Sequence, residues 1–326
     1  MIDWRRSLRR VFLNPLVTKD GLSRMRSWRA PGAIALYLGL LGGFGVLVLR
    51  VALGAGGQSG GYTQSGGYAQ IGSAVFTAMA MLQLALVCLF SPAVAAGAVS
   101  AERERQTLDV LLVSGVSPLS LVWGKLVASV AFILLLVVAA QPLFATIFLF
   151  GGIDFQQFAI AQLLTATTAL AAAAVSLLFS VLFRRTLLST VAAYAATFAG
   201  TVGTWVLGVI LTIGAASQRT GFPELNPLML FNPIQAMLMI LQVPVIGVTV
   251  PAARRSTTLY TGLAGLVVAP PVEPWVVTVA AESVLVILCA AAAVLLLRGQ
   301  RPMPWSLEPR VEPVHPGVEP QDQPVR

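Results

Sequence analysis

Residues 71–99 contain no Asp, Glu, Lys or Arg. A helix that long, rising about 1.5 Å per residue, outreaches a hydrocarbon core of about 30 Å by roughly two turns. Lipid offers no partner for backbone N–H and C=O groups, so such a run crosses a membrane as a helix. The same reasoning gives six spans, at about 31–50, 71–99, 124–150, 157–183, 186–217 and 275–297. Arg50 and Lys125 stand at span ends, while Glu282 is the one carboxylate well inside a span. With 57% hydrophobic and 10% charged residues, the chain has too little charge to clothe a soluble surface. The predicted class is an all-α, polytopic membrane protein with six transmembrane helices.

A net charge of +8 raises the question of nucleic acid. The basic residues cluster at span ends instead, as the positive-inside rule produces, so no nucleic-acid partner is expected. With both termini cytoplasmic, 17 of the 21 Lys and Arg residues fall inside; a seventh span through 225–253 would leave 15. Six spans fit better. The segment 225–253 is uncharged and broken by Pro227, Pro233, Pro244 and Pro251. It reads as short helices on or dipping into the outer face, within an external stretch 218–274, with a re-entrant element or a seventh span left open. Residues 1–30 pair Arg5, Arg6, Arg9, Arg10, Lys19, Arg24, Arg26 and Arg29 with Trp4, Leu8, Phe12, Leu13 and Trp28. That pattern suits a helix lying among anionic lipid headgroups on the cytoplasmic side, which makes membrane lipid an expected partner. Residues 298–326 are proline-rich and read as a disordered cytoplasmic tail.

Between spans two and three the composition changes abruptly. Glu102, Arg103, Glu104 and Arg105 are four consecutive charges directly after an apolar run, and Asp109 follows. On a helical wheel Glu102, Arg105, Gln106 and Asp109 share one face, with Glu104, Leu108, Leu111, Leu112 and Gly115 on the other. Ser114-Gly115 offers a helix end, and Ser117-Pro118 reads as an N-cap with proline at the first helical position. The expectation is helix, tight break, helix at one membrane face. A charge run between spans is commonly only a solvated loop that sets orientation. Here the order of residues says more.

Glu102-Arg103-Glu104-Arg105-Gln106-Thr107-Leu108-Asp109, then Leu111-Leu112, Ser114, Val116-Ser117 and Gly124-Lys125-Leu126, resembles the cytoplasmic segment of export-type (ABC-2) ABC transporter permeases. Asn14-Pro15-Leu16-Val17-Thr18-Lys19-Asp20 is similar to the start of those permeases, where an interfacial elbow helix precedes the first span. Two departures stand out: Gln106 occupies a usual glycine position and Asp109 a usual glutamate position. The resemblance implies that residues 100–122 form a coupling segment docking into a separate cytoplasmic ATP-binding subunit. It also implies a second permease, identical or homologous, and a place in the cytoplasmic (plasma) membrane of a bacterium. ATP and magnesium would then belong to the partner, and this chain would transport without being an enzyme.

The residues agree with that division of labour. Gly115 to Lys125 does not make a phosphate-binding loop, because Leu119 interrupts the spacing and Leu126 stands where Ser or Thr must ligate magnesium. No cofactor is expected in this chain. His315 is the only histidine, and Cys88 and Cys289 lie inside apolar runs, so neither a metal site nor a disulfide is expected. Glu282 remains a candidate pathway or coupling carboxylate, weighed against a structural role in which a buried Gln or Thr satisfies it. A proton-coupled secondary transporter or channel using Glu282 is the alternative function; no repeat between spans one to three and four to six supports it.

Overall fold

The computed structural model describes residues 29–59, 67–107, 117–216, 227–241, 260–261, 267–268 and 273–299. The expected elbow helix, Leu108 and Asp109 of the coupling segment, and the proline-rich tail beyond Gly299 lie outside these residues.

Six helices in the described residues are long and apolar enough to cross a membrane. Span one is α1, Arg29–Ser59. Span two is α2, Gly67–Ala95, which loosens into turns and re-forms as the short α3, Ser100–Glu104. Span three is α4, Pro118–Ala139, continued by α5, Gln141–Ile147. Span four is α6, Phe155–Leu182. Span five joins α7, Thr186–Phe198, through a π-helical turn at Ala199–Gly203 to α8, Thr204–Ala216. Two short helices follow, α9, Pro227–Leu230, and α10, Pro233–Ile240. Span six is α11, Pro274–Arg298. A two-residue antiparallel pairing of Tyr260–Thr261 with Val267–Val268 is the extended structure among the described residues.

Local chemistry accounts for where these helices begin and break. Ser117 accepts a hydrogen bond from the Ser120 amide at 3.1 Å, with Pro118 in the first turn, as the Ser-Pro motif predicts. The third span breaks at Ala140 because Pro142 offers no amide to its ladder, and Gln141 turns its side chain back onto the Val137 carbonyl at 2.8 Å. Pro92, by contrast, sits inside α2, which runs on to Ala95. The loosening comes a turn later than the proline.

Spans two, three and four form the centre, and spans one, five and six lie around them. Span four is the hub, and small residues let its neighbours close in: Ala169, Ala171, Ala172, Ala173 and Ala174 are all buried. One buried cluster sits toward the 67, 147 and 155 ends, where Phe76, Phe144 and Phe158 meet at centroid distances of 5.7–6.2 Å. A second, toward the opposite ends, gathers Val99, Leu121, Val122, Leu177, Val181 and Leu297. At the turn between spans three and four Gly152 has φ +83° and lies against the Ala69 backbone; a Cβ there would come within 2.0 Å of the Ala69 carbonyl. The outward faces stay apolar, with Leu187, Val191, Ile210, Ile213, Ile287 and Leu288 exposed as lipid contact requires.

The described part of the proline-broken segment packs against the bundle. Within its described part, 227–241, Met237 is fully buried and joins Ala236 and Leu241 in the cluster shared with spans one to four. Gln157 donates to the Ile240 carbonyl at 2.6 Å, and Thr278 to the Leu230 carbonyl at 2.7 Å. The pair α9–α10 is therefore wedged against spans four and six. Its polar ends are met by protein, the condition under which irregular backbone is tolerated inside a membrane protein.

Candidate functional site

The charged segment after span two folds into a compact crook. As α2 loosens at 96–99, the amides of Val99 and Ser100 turn to Ser180 of span four, whose hydroxyl oxygen accepts both at 2.9 and 3.0 Å. Ser100 and Ser189 both donate to the Ala96 carbonyl, at 3.1 and 2.7 Å, bringing in the first turn of span five. All three serines are buried, so these bonds act without competition from water.

The two acids of the crook reach neighbouring spans, Glu102 from a half-buried position and Glu104 from an exposed one. Glu102 Oε1 pairs with Lys125 Nζ at 2.5 Å, with the side chains 24% and 9% exposed, tying the crook to the start of span three. Glu104 accepts from the Thr186 amide at 2.7 Å and from the Thr186 hydroxyl at 3.0 and 3.1 Å. It thereby caps α7, where first-turn amides lack helical partners and favour negative charge. Spans three, four and five are all fastened to this short stretch.

The helix itself ends sooner than a continuous wheel requires. It stops at Glu104, and Gln106 adopts φ 57°, in the left-handed region that glycine enters most easily. This is the position where the resembling permeases carry glycine, so the backbone turn persists with a less suitable residue. The expected common face of Glu102, Arg105 and Gln106 is consequently split, because the helical spacing breaks between them. Arg105, Gln106 and Thr107 are exposed at the tip, and Thr107 donates to the Glu102 carbonyl at 3.1 Å. Arg103 is half-buried.

Glu282 lies far from the crook. It is 7% exposed, and its Oε1 is 2.7 Å from the Thr168 hydroxyl of span four, while Oε2 has no hydrogen-bond partner. A threonine does meet it at Oε1, as the structural alternative expects, and Thr167 lies beside the carboxyl as well. Nearby, Gln83 and Gln162 exchange hydrogen bonds at 3.2 and 3.1 Å, and Gln141 donates to Gln162 at 3.3 Å. This glutamine belt joins spans two, three and four. A third polar knot surrounds Asn232, whose amide donates to the Thr201 carbonyl at 2.6 Å and the Thr204 hydroxyl at 2.7 Å, while its Oδ1 caps α10. The π-helical turn supplies that carbonyl. No group of three or more His, Cys, Asp or Glu that could hold a metal occurs among the described residues.

Sequence reasoning singled out the crook and Glu282 but not their partners. Lys125 had a usable signal: it is the only charge between Asp109 and Asp154, and a lone cation entering a span needs an acid nearby. Ser180, Thr186 and Ser189 carried none, since a hydroxyl at a span end looks like any other.

Residues 57–297 match the family described as ABC-2 family transporter protein. The match starts beyond the Asn14–Asp20 stretch and continues through span six, further than the charged segment alone reached. No curated protein matches the chain. With six apolar helices in the described residues and a family match over most of its length, the chain belongs to the ABC-2 transporter family, as a multi-pass membrane component of an ABC transporter.

Proposed function

We propose that this chain is the permease subunit of an ATP-driven exporter in the cytoplasmic membrane of a bacterium, with both termini cytoplasmic. It pairs with a second permease, itself or a homologue. A separate cytoplasmic subunit binds ATP and magnesium and docks on the segment 100–122, with Arg105, Gln106, Thr107, Leu108 and Asp109 as the contact side. Glu102 and Glu104 act as braces to spans three and five, and Arg103 belongs to the same coupling segment.

The observation that carries this reading is the bracing of one short crook to spans three, four and five through Lys125, Ser180 and Thr186. A solvated loop that merely sets orientation has no need of it. ATP-driven closure of the partner subunits pushes on the crook, and the push reaches three spans besides span two. The break at Ala140 and the π-helical turn at Ala199–Gly203 let the far halves of spans three and five move differently from their braced ends. ATP binding then favours an outward-open arrangement by holding the crook in the position that arrangement requires.

The test uses single cysteines at Arg105, Gln106 and Thr107, with the buried Cys88 and Cys289 replaced by serine. A short bifunctional crosslinker applied in native membranes should join each to a soluble ATP-binding chain, with a yield that changes when ATP is trapped. Crosslinks absent at all three positions but abundant from the tail would remove the coupling role from the crook.

A further inference from the structure

Beyond that reading, the surroundings of Glu282 identify a ligand of its own. No Asp, Glu, Lys, Arg or His occurs in residues 67–101, 126–153, 155–183, 186–216 or 227–241, so the segments packed around span six offer no counter-charge. The titratable neighbour is Cys88 of span two, an acid rather than a base. A bare carboxylate in such a place is strongly disfavoured.

The hydrogen-bond geometry says how the charge is removed. The Thr168 hydroxyl is 2.9 Å from the Leu164 carbonyl and 2.7 Å from Glu282 Oε1. A hydroxyl has one hydrogen, and the Leu164 carbonyl can only accept. The Leu164 carbonyl is also 2.9 Å from the Thr167 hydroxyl, and where both hydroxyls donate to it the second Thr168 contact needs a hydrogen from the carboxyl. Both contacts are made at full strength when Oε1 carries a proton and donates to Thr168. Oε2 is then the carbonyl oxygen of a neutral acid, and its lack of a partner costs far less than an unpaired half of a carboxylate. Larger cations fit poorly: one carboxyl and a hydroxyl fall well short of a metal's oxygen shell, and Oε2 has almost no surface for an ammonium group to approach.

We propose that Glu282 is a proton-binding site of this permease, loaded while span six packs on span four and emptied when the two part and water reaches the carboxyl. The proton moves between the carboxyl oxygen and water, with no other bond made or broken. Each opening of that interface then carries a proton-binding step, which links the conformational cycle to the pH on the side where it opens.

Infrared spectroscopy on the purified chain in lipid tests this. The wild type minus Glu282→Gln difference spectrum at neutral pH should contain a carboxylic-acid C=O band, and Asp154→Asn should leave that band in place. A difference made only of carboxylate bands would overturn the proposal. Should Glu282→Gln fail to fold, the wild type alone decides: an acid band that persists at neutral pH supports the site, and its absence overturns it. The release step rests on the proposed ATPase partnership and is read separately, in the complex. Trapping the ATP-bound state should weaken the band; an unchanged band would overturn the release while leaving proton binding intact.

Discussion

At the residue scale, Gln106 and Lys125 show what the crook demands. Gln106 holds φ 57° without being glycine, a conformation that costs a side-chain-bearing residue about 1–2 kcal/mol. Part of that gain is lost to the greater freedom of glycine in the unfolded chain, so Gln106→Gly should stabilise the protein by about 0.5–1 kcal/mol. A thermal unfolding series in detergent that also includes Gln106→Val checks this, with valine below wild type. Lys125 is nearly buried against the partly exposed Glu102. Lys125→Met leaves that acid without its cation and should cost about 3 kcal/mol, as for a buried pair broken on one side, because Glu102 Oε2 is itself shielded from water. Exchanging the two charges by Glu102→Lys with Lys125→Glu should restore part of the loss; no restoration would mean the pair contributes through packing alone. The four consecutive charges were legible in the sequence, yet the bonding of the two acids to Lys125 and Thr186 was not. A wheel assumes an unbroken helix, and the left-handed turn at Gln106 has no glycine to announce it.

At the element scale, proline positions and caps were legible and side-chain partners were not. Ser117-Pro118 starts a helix as its sequence predicts, and Gln141-Pro142 marks a real break. The same reasoning cannot say that Asn232 reaches span five, because that contact depends on a π-helical turn made of small residues whose sequence also reads as plain helix. Asn232→Ala removes the cap of α10 and the side-chain bonds that tie it to Thr201 and Thr204 of span five. It should destabilise the wedge by about 1–3 kcal/mol, seen as faster proteolysis between spans five and six with the other loops unchanged. At the other membrane face, Thr186→Val deletes one donor to Glu104 but keeps the amide that also caps α7, whereas Glu104→Gln removes the charge from both bonds. Glu104→Gln should therefore have the larger effect on how far this chain stimulates ATP hydrolysis by the proposed partner, and equal effects would show that the cap does not transmit the push.

At the scale of the whole molecule, the six spans were legible from hydropathy because a lipid-crossing helix must be apolar along its full length. Their arrangement was not. Span four proves to be the hub and spans one, five and six the periphery, a distinction made by alanine-rich packing rather than by hydropathy. The wedge of α9 and α10 lay within a segment whose prolines pointed to short helices but left open whether it was external, re-entrant or a seventh span. The architecture that results fastens the charged crook to the central bundle and leaves the outer helices with exposed apolar faces. The most direct test of coupling through the crook is recovery of the tagged chain from its native membrane in mild detergent, as wild type and as Arg105→Glu. The account predicts that a soluble chain with an ATP-binding loop accompanies the wild type and is lost from the variant, which still inserts and folds. Recovery of that partner in equal amount with both chains, or of the wild type with no such partner, would contradict it.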